Sequence, residues 1–157
     1  MIYYIPARRA GRTAAAAAVV SALEATADAG QMTASRYLRL RREAAGLTIL
    51  QAARRMFGSD DGNVRIAVDL ITALETPGVR AKVGLTLDRL SLAFSFDADV
   101  YRQLAHDPAA RHPRVCGGCG CSQNDACVSA DGHDCCAWSP SSRDGAALCT
   151  RCTGEDR

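Results

Sequence analysis

Tyr37-Leu-Arg-Leu-Arg-Arg-Glu-Ala-Ala-Gly-Leu-Thr48 opens the part of the chain with the clearest pattern. Tyr37, Leu40 and Ala44 recur at i, i+3 and i+7, which predicts a helix over Ser35 to Ala45 with those three facing inward. Arg36, Arg39, Arg41 and Arg42 fill much of the remaining surface, and Gly46 is a good stop. Thr48 then suits the N-cap of a second helix running to about Met56, with Ala52, Ala53 and Met56 inward. Gly58-Ser-Asp-Asp-Gly-Asn63 is turn chemistry throughout. A third helix is expected from about Val64 to Glu75, with Ile71 and Leu74 in the core, closed by Pro77-Gly78. Thr86 to Phe94 and Asp97 to Ala105 read as two more helices, capped by Thr86 and Asp97.

Aromatic residues make up only 5% of the 157 residues, so the core must come from Leu, Ile, Val and Ala. That composition suits packed helices better than a sheet. Toward the N-terminus, Arg8, Arg9 and Arg12 precede the apolar run Ala14 to Leu23, an order that mimics a signal peptide. The run is mostly alanine and Glu24 follows at once, so we read an alanine-rich helix capped by Thr13 and ended near Gly30. No stretch approaches the roughly 20 apolar residues that span a bilayer, and a cytoplasmic protein without membrane contact is expected.

The cysteines divide the chain. All eight fall in the last 42 residues: Cys116-Gly-Gly-Cys119-Gly-Cys121, Cys127, the neighbours Cys135 and Cys136, and Cys149-Thr-Arg-Cys152. Two Cys-x-x-Cys pairs around a short Gly- and Asp-rich segment have the ligand spacing of a tetrahedral zinc site. So short a segment cannot bury enough apolar surface to fold unaided, so a metal or disulfides must supply the deficit. Cys116, Cys119, Cys149 and Cys152 form the expected zinc site, closed and therefore structural. Cys121, Cys127 and Cys136 or Cys135, with His133 nearby, leave two readings open, a second zinc site or buried thiols. An iron–sulfur cluster uses the same ligands. Thioredoxin-type redox chemistry lacks the strand–helix context it needs. Trp138 reads as the apolar plug of this small unit.

Four segments follow: an N-terminal helix over residues 1–30, a helical domain over 31–106, a linker over 107–114 and a Cys-rich zinc-binding domain over 115–157. Through residue 114 there are 16 Lys/Arg against 11 Asp/Glu, and from 115 onward 3 against 6. A basic helical part joined to an acidic tail fits a nucleic-acid partner for the former. No Ser/His/Asp set, phosphate loop or carboxylate pair stands out, and no enzyme is expected.

The stretch from Tyr37 to Thr48 resembles the opening helix and turn of the lambda-repressor-like (Cro/XRE) helix-turn-helix family. Ile71-Thr-Ala-Leu-Glu75 resembles the end of its recognition helix, and Leu87 to Phe94 with Asp97 to Leu104 its last two helices. The tail, with Cys-x-Cys, Asp-Ala-Cys127-Val, Cys136-Ala-Trp138 and a closing Cys-x-x-Cys, is similar to a cysteine-rich motif of phage and prophage proteins. The resemblance implies a mainly α, compact five-helix helix-turn-helix domain, with the N-terminal helix and zinc-stabilised tail added. It implies a phage- or prophage-type transcriptional regulator in a bacterial cytoplasm, binding double-stranded DNA, with a homodimer common among relatives. Thr48 and Gln51 would meet phosphates, and Arg65, Val68, Asp69 and Thr72 would face the major groove. Arg36, Arg39, Arg41 and Arg42 would add phosphate contacts. The turn region from Gly58 to Asn63 makes the expected connector several residues longer than the family's. The other reading is an adaptor that keeps the helical scaffold and grips a host protein, such as part of the transcription machinery, through its zinc tail.

Overall fold

A computed structural model describes residues 31–82, 84–128, 132–140 and 147–154. The alanine-rich helix expected over residues 1–30 lies outside the described residues. Residues from Met32 onward form one compact unit. Among the described residues the protein is mainly helical: α1 (Ala34–Ala44), α2 (Ile49–Phe57), α3 (Asp61–Leu74), α4 (Gly84–Ser91), α5 (Ala98–His106) and the short α6 (Thr150–Thr153). No strand occurs there, only isolated antiparallel bridges in the cysteine-rich part, Val115 with Ser122, Val128 with Cys135 and Trp138 with Cys149. Among the described residues no helix is long and apolar enough to cross a membrane.

The helix starts follow capping chemistry. Thr33 Oγ1 accepts from the Arg36 amide, and Thr48 and Gln51 form a reciprocal capping box. Asp60 accepts from the Asn63 amide, so α3 begins at Asp61, three residues before the expected Val64. The capping carboxylate turns what read as loop into the first turn of a helix. Gly58, Ser59 and Asp60 alone therefore connect α2 to α3, and Gly58, at φ 66°, makes the left-handed turn. Asp97 caps α5 as expected. Thr86 does not cap α4, which starts at Gly84 and takes Thr86 into its first turn.

One core joins the helices. Tyr37 and Leu38 of α1, Ala52, Ala53 and Met56 of α2, and Val64, Ala67, Ile71 and Leu74 of α3 are buried with Leu87, Leu90, Phe94, Val100, Tyr101 and Leu104. Tyr37 fixes α1 to α5: its hydroxyl accepts from the Asp97 amide at 2.8 Å. Burial pushes the Tyr37 phenol well above its ordinary range, so it stays a neutral hydroxyl. Tyr101 likewise accepts from the Ala81 amide at 2.9 Å.

The buried stripe of α1 differs from the expected one. Tyr37 is buried, but Leu40 is only half-buried and Ala44 is exposed, while Arg41 and Arg42 are buried. Positions 37, 38, 41 and 42 share one helix face, so the inner surface of α1 includes two guanidinium groups. Each is satisfied inside the protein. Arg42 makes a two-pronged pair with Glu75 at 2.6 and 2.8 Å and donates to the Leu47 carbonyl at 2.6 Å. That pairing holds the Arg42 guanidinium charged even more firmly than usual. Arg41 donates to the Ser95 carbonyl at 3.1 Å and meets the Asp125 carboxylate at 2.7 Å.

Candidate metal centre and basic face

The cysteine-rich part assembles around its sulfurs because it has little else to bury. Cys116, Cys119, Cys121 and Cys149 are buried, with Cys127, Cys136, Trp138 and Leu148 packed against them. The Cys116–Cys121 loop closes on itself, with the Cys116 amide donating to the Cys121 carbonyl at 2.8 Å and the Gly120 amide to the Cys116 carbonyl at 2.9 Å. Gly117 ties it to the second Cys-x-x-Cys pair through the Ala147 carbonyl at 2.7 Å.

Two glycines are required here for space. A Cβ on Gly118 would fall 2.8 Å from Cys152 Sγ, so only glycine lets the backbone approach that sulfur. Gly120 sits at φ 76°, and a Cβ there would come within 3.0 Å of the Arg41 side chain and 3.2 Å of Leu40. The loop therefore lies directly on α1. The Arg41–Asp125 pair reinforces this docking; burial pushes the Asp125 carboxyl upward while Arg41 opposes the shift.

Two sets of four sulfurs, each with all members within 4.8 Å of one another, have the geometry to hold a metal ion. One is Cys116, Cys119, Cys149 and Cys152, the set expected from spacing; the other is Cys119, Cys121, Cys127 and Cys149. None of the eight cysteines is joined in a disulfide. Sulfurs in a tetrahedral zinc site sit roughly 3.8 Å apart, from a Zn–S bond of about 2.3 Å. Cys119 lies 3.7 Å from Cys149 and 3.3 Å from Cys127, close to that spacing. Backbone amides point at the sulfurs as they do around bound thiolates: Gly118 and Cys149 donate to Cys116 Sγ at 3.4 and 3.3 Å. Hydrogen bonding from Cys121 above all holds the Cys119 thiol well below its ordinary range. Burial raises Cys116, Cys127 and Cys152, and the charge on Cys119 adds to the rise in each. The donor set is all sulfur, which suits soft or borderline cations.

The remaining cysteines divide. Cys136 Sγ lies 3.7 Å from Cys121 Sγ and accepts from the Cys127 amide at 3.2 Å, although it belongs to neither set of four. Cys135 is exposed and in neither set. His133 is exposed and also outside both. Trp138 is only half-buried: it packs on the sulfur cluster, and the Arg114 guanidinium lies 4.3 Å from its ring centre.

Beside the sulfurs a cleft of about 480 Å³ opens against the end of α1, lined by Arg41, Asp125, Cys127 and Arg151 among others. Arg151 also donates to the Val128 carbonyl. Spacing alone could not reveal Asp125 as the partner of Arg41. Arg41's position one helical turn after Tyr37 was the signal that it faces inward.

The residues predicted for DNA are not all at the surface. Arg36 and Arg39 are exposed on α1, and Arg39 pairs with Glu43 at 2.9 Å. Arg41 and Arg42 are held inside the protein, which removes them from the predicted basic face; their ion pairs and burial are the reason. Thr48 and Gln51 are exposed at the α2 start, with the Gln51 side-chain oxygen accepting from the Thr48 amide at 2.8 Å. Arg65, Asp69 and Thr72 are exposed on α3, while Val68 is half-buried against the core. The Thr72 hydroxyl donates to the Val68 carbonyl at 2.7 Å.

No protein-family model, curated protein or solved structure matches the chain.

Proposed function

We propose that the protein is a phage- or prophage-type regulator that binds double-stranded DNA through α2 and α3, with a zinc-stabilised tail. The supporting observation is the pair itself. Two packed helices are joined by three residues with glycine at the turn, and the second carries an exposed polar face. This is the build a helix-turn-helix needs: the first helix rests on phosphates, the second enters the major groove. Arg65 and Asp69, one helical turn apart, are then the base-facing side chains, with Thr72 below them on the same face. Phosphate contacts fall to the exposed Arg36 and Arg39, the Thr48 and Gln51 cap, and the exposed Arg54 of α2. Zinc, bound by Cys116, Cys119, Cys149 and Cys152, acts as a closed structural centre that seats the tail on α1.

Titration of the zinc-loaded protein onto labelled duplex at several salt concentrations tests the reading. Each phosphate contact contributes about 0.9 to the slope of log affinity against log salt, so losing Arg36 and Arg39 should flatten it by about 2. Arg65→Ala should weaken the preferred site by about 1–3 kcal/mol while leaving random duplex nearly unchanged. A flat salt dependence for the parent protein contradicts DNA binding.

One observation favours the adaptor instead. Leu50 of α2 is 44% exposed and Ile66 of α3 66%, apolar side chains where DNA contact favours polar ones; Leu85 of α4 and Leu92 in the turn just after it are exposed as well. Recovery of a stoichiometric host protein after nuclease treatment would support that reading, and a homodimer through α4 would bury Leu85 and Leu92.

A further inference from the structure

The two four-sulfur sets are not separate. Both contain Cys119 and Cys149, whose sulfurs stand 3.7 Å apart, so the sets share an edge. Cys116 and Cys152 complete one set, Cys121 and Cys127 the other, and no set contains all six. Two tetrahedra joined along one edge would have this membership, two corners shared and two belonging to each alone.

Ligand supply favours sharing. Two independent tetrahedral ions need about eight ligands. Once the first set is complete, only Cys121, Cys127 and Cys136 remain in the cluster, because Cys135 is exposed and outside it. A shared edge lets six sulfurs serve two ions. Charge favours it too. Six thiolates on two divalent ions leave roughly two negative charges, whereas two separate four-thiolate sites leave roughly four. The smaller residual charge suits a tail that already carries 6 Asp/Glu against 3 Lys/Arg. Sulfurs as close as the 3.3 Å between Cys119 and Cys127 also demand a cation or a proton between them.

We propose that the tail holds a binuclear thiolate cluster of two divalent ions of the zinc class, with Cys119 and Cys149 bridging them. Cys116 and Cys152 are terminal on one ion, Cys121 and Cys127 on the other. Cys136 lies outside the ligand set and supports it, its sulfur 3.7 Å from Cys121 and hydrogen-bonded by the Cys127 amide. The proposal rests on the cysteines being metal ligands and is independent of DNA binding.

The test loads the full-length protein with an NMR-active cadmium isotope, which replaces zinc at thiolate sites, and records proton–cadmium correlations of the cysteine β-protons. Two cadmium signals are expected, with Cys119 and Cys149 correlating to both and the four terminal cysteines to one each. Two signals with every cysteine on a single ion would overturn the bridging and leave separate sites. One cadmium overturns the binuclear cluster but keeps a mononuclear centre. No bound cadmium overturns the ligand reading itself, and iron with inorganic sulfide in the protein as isolated overturns the cluster of two zinc-class ions while keeping the cysteines as ligands. Cys136→Ser should keep both signals and the same correlations; loss of one ion would place Cys136 among the ligands.

Discussion

Replacing Arg42 by methionine should cost fold stability directly. In the native protein its guanidinium makes two hydrogen bonds to the Glu75 carboxylate and a third to the Leu47 carbonyl. The Arg42 and Glu75 side chains are 8% and 7% exposed, so removing one leaves the other charge uncompensated away from water. Breaking such a buried pair from one side costs about 3–5 kcal/mol. For a unit of this size that lowers Tm by roughly 10–20 °C. The double variant Arg42→Met, Glu75→Leu removes both charges and should recover most of the loss, because well-packed apolar residues often match a buried pair. Thermal unfolding followed by circular dichroism, in saturating zinc for every variant, gives the comparison. A single-variant loss below about 1 kcal/mol would refute the buried-pair account and return Arg42 to the solvent-facing role its sequence position first suggests.

Other consequences follow from the same geometry. Thr48→Ala removes the Oγ acceptor of the capping box and should destabilise by about 1 kcal/mol in urea unfolding, with Thr48→Ser restoring most of it; an unchanged midpoint contradicts the cap. Chelation of the metal should shift the fluorescence of the single tryptophan, Trp138, which packs on the sulfur cluster, while most helical circular dichroism survives on the separate core of α1–α5. Complete loss of helix on chelation would show that the helices depend on the metal. Gly118→Ala should weaken metal retention against a competing chelator, since its Cβ would fall 2.8 Å from Cys152 Sγ; unchanged retention contradicts the tight approach. Asp60 is a pH prediction: the Asn63 backbone amide holds its carboxyl below 3.8, so the charged cap stabilises α3 above that value. The stability advantage of the parent over Asp60→Asn should therefore shrink as pH falls through the lowered folded value. An advantage that persisted well below it would contradict the assignment.

What the sequence made legible follows from the kind of signal each residue carries. The inner residues of α2 and the core positions Ile71 and Leu74 were plain from periodicity, because apolar side chains at helical spacing leave few alternatives. Two Cys-x-x-Cys pairs likewise identified one of the sulfur sets, since thiolates at that spacing converge. Three features were hidden. Arg41 and Arg42 counted as surface because arginine is seldom buried, and only distant partners, Asp125 and Glu75, make burial tolerable. The start of α3 was masked by Asp60, which is equally at home in a turn or as a helix cap. The second sulfur set shares Cys119 and Cys149 with the first, and a linear spacing rule assigns each cysteine only once.

The account turns most directly on a binding selection from a randomised pool of DNA duplexes, with zinc-loaded full-length protein at moderate salt. It predicts enrichment of one short motif, lost in an Arg65→Ala, Asp69→Ala variant that still unfolds at the parent temperature. A two-fold repeat in that motif would add a dimer. Failure to retain duplex above background at low salt would contradict DNA binding and direct attention to the exposed Leu50 and Ile66 as a protein-binding surface.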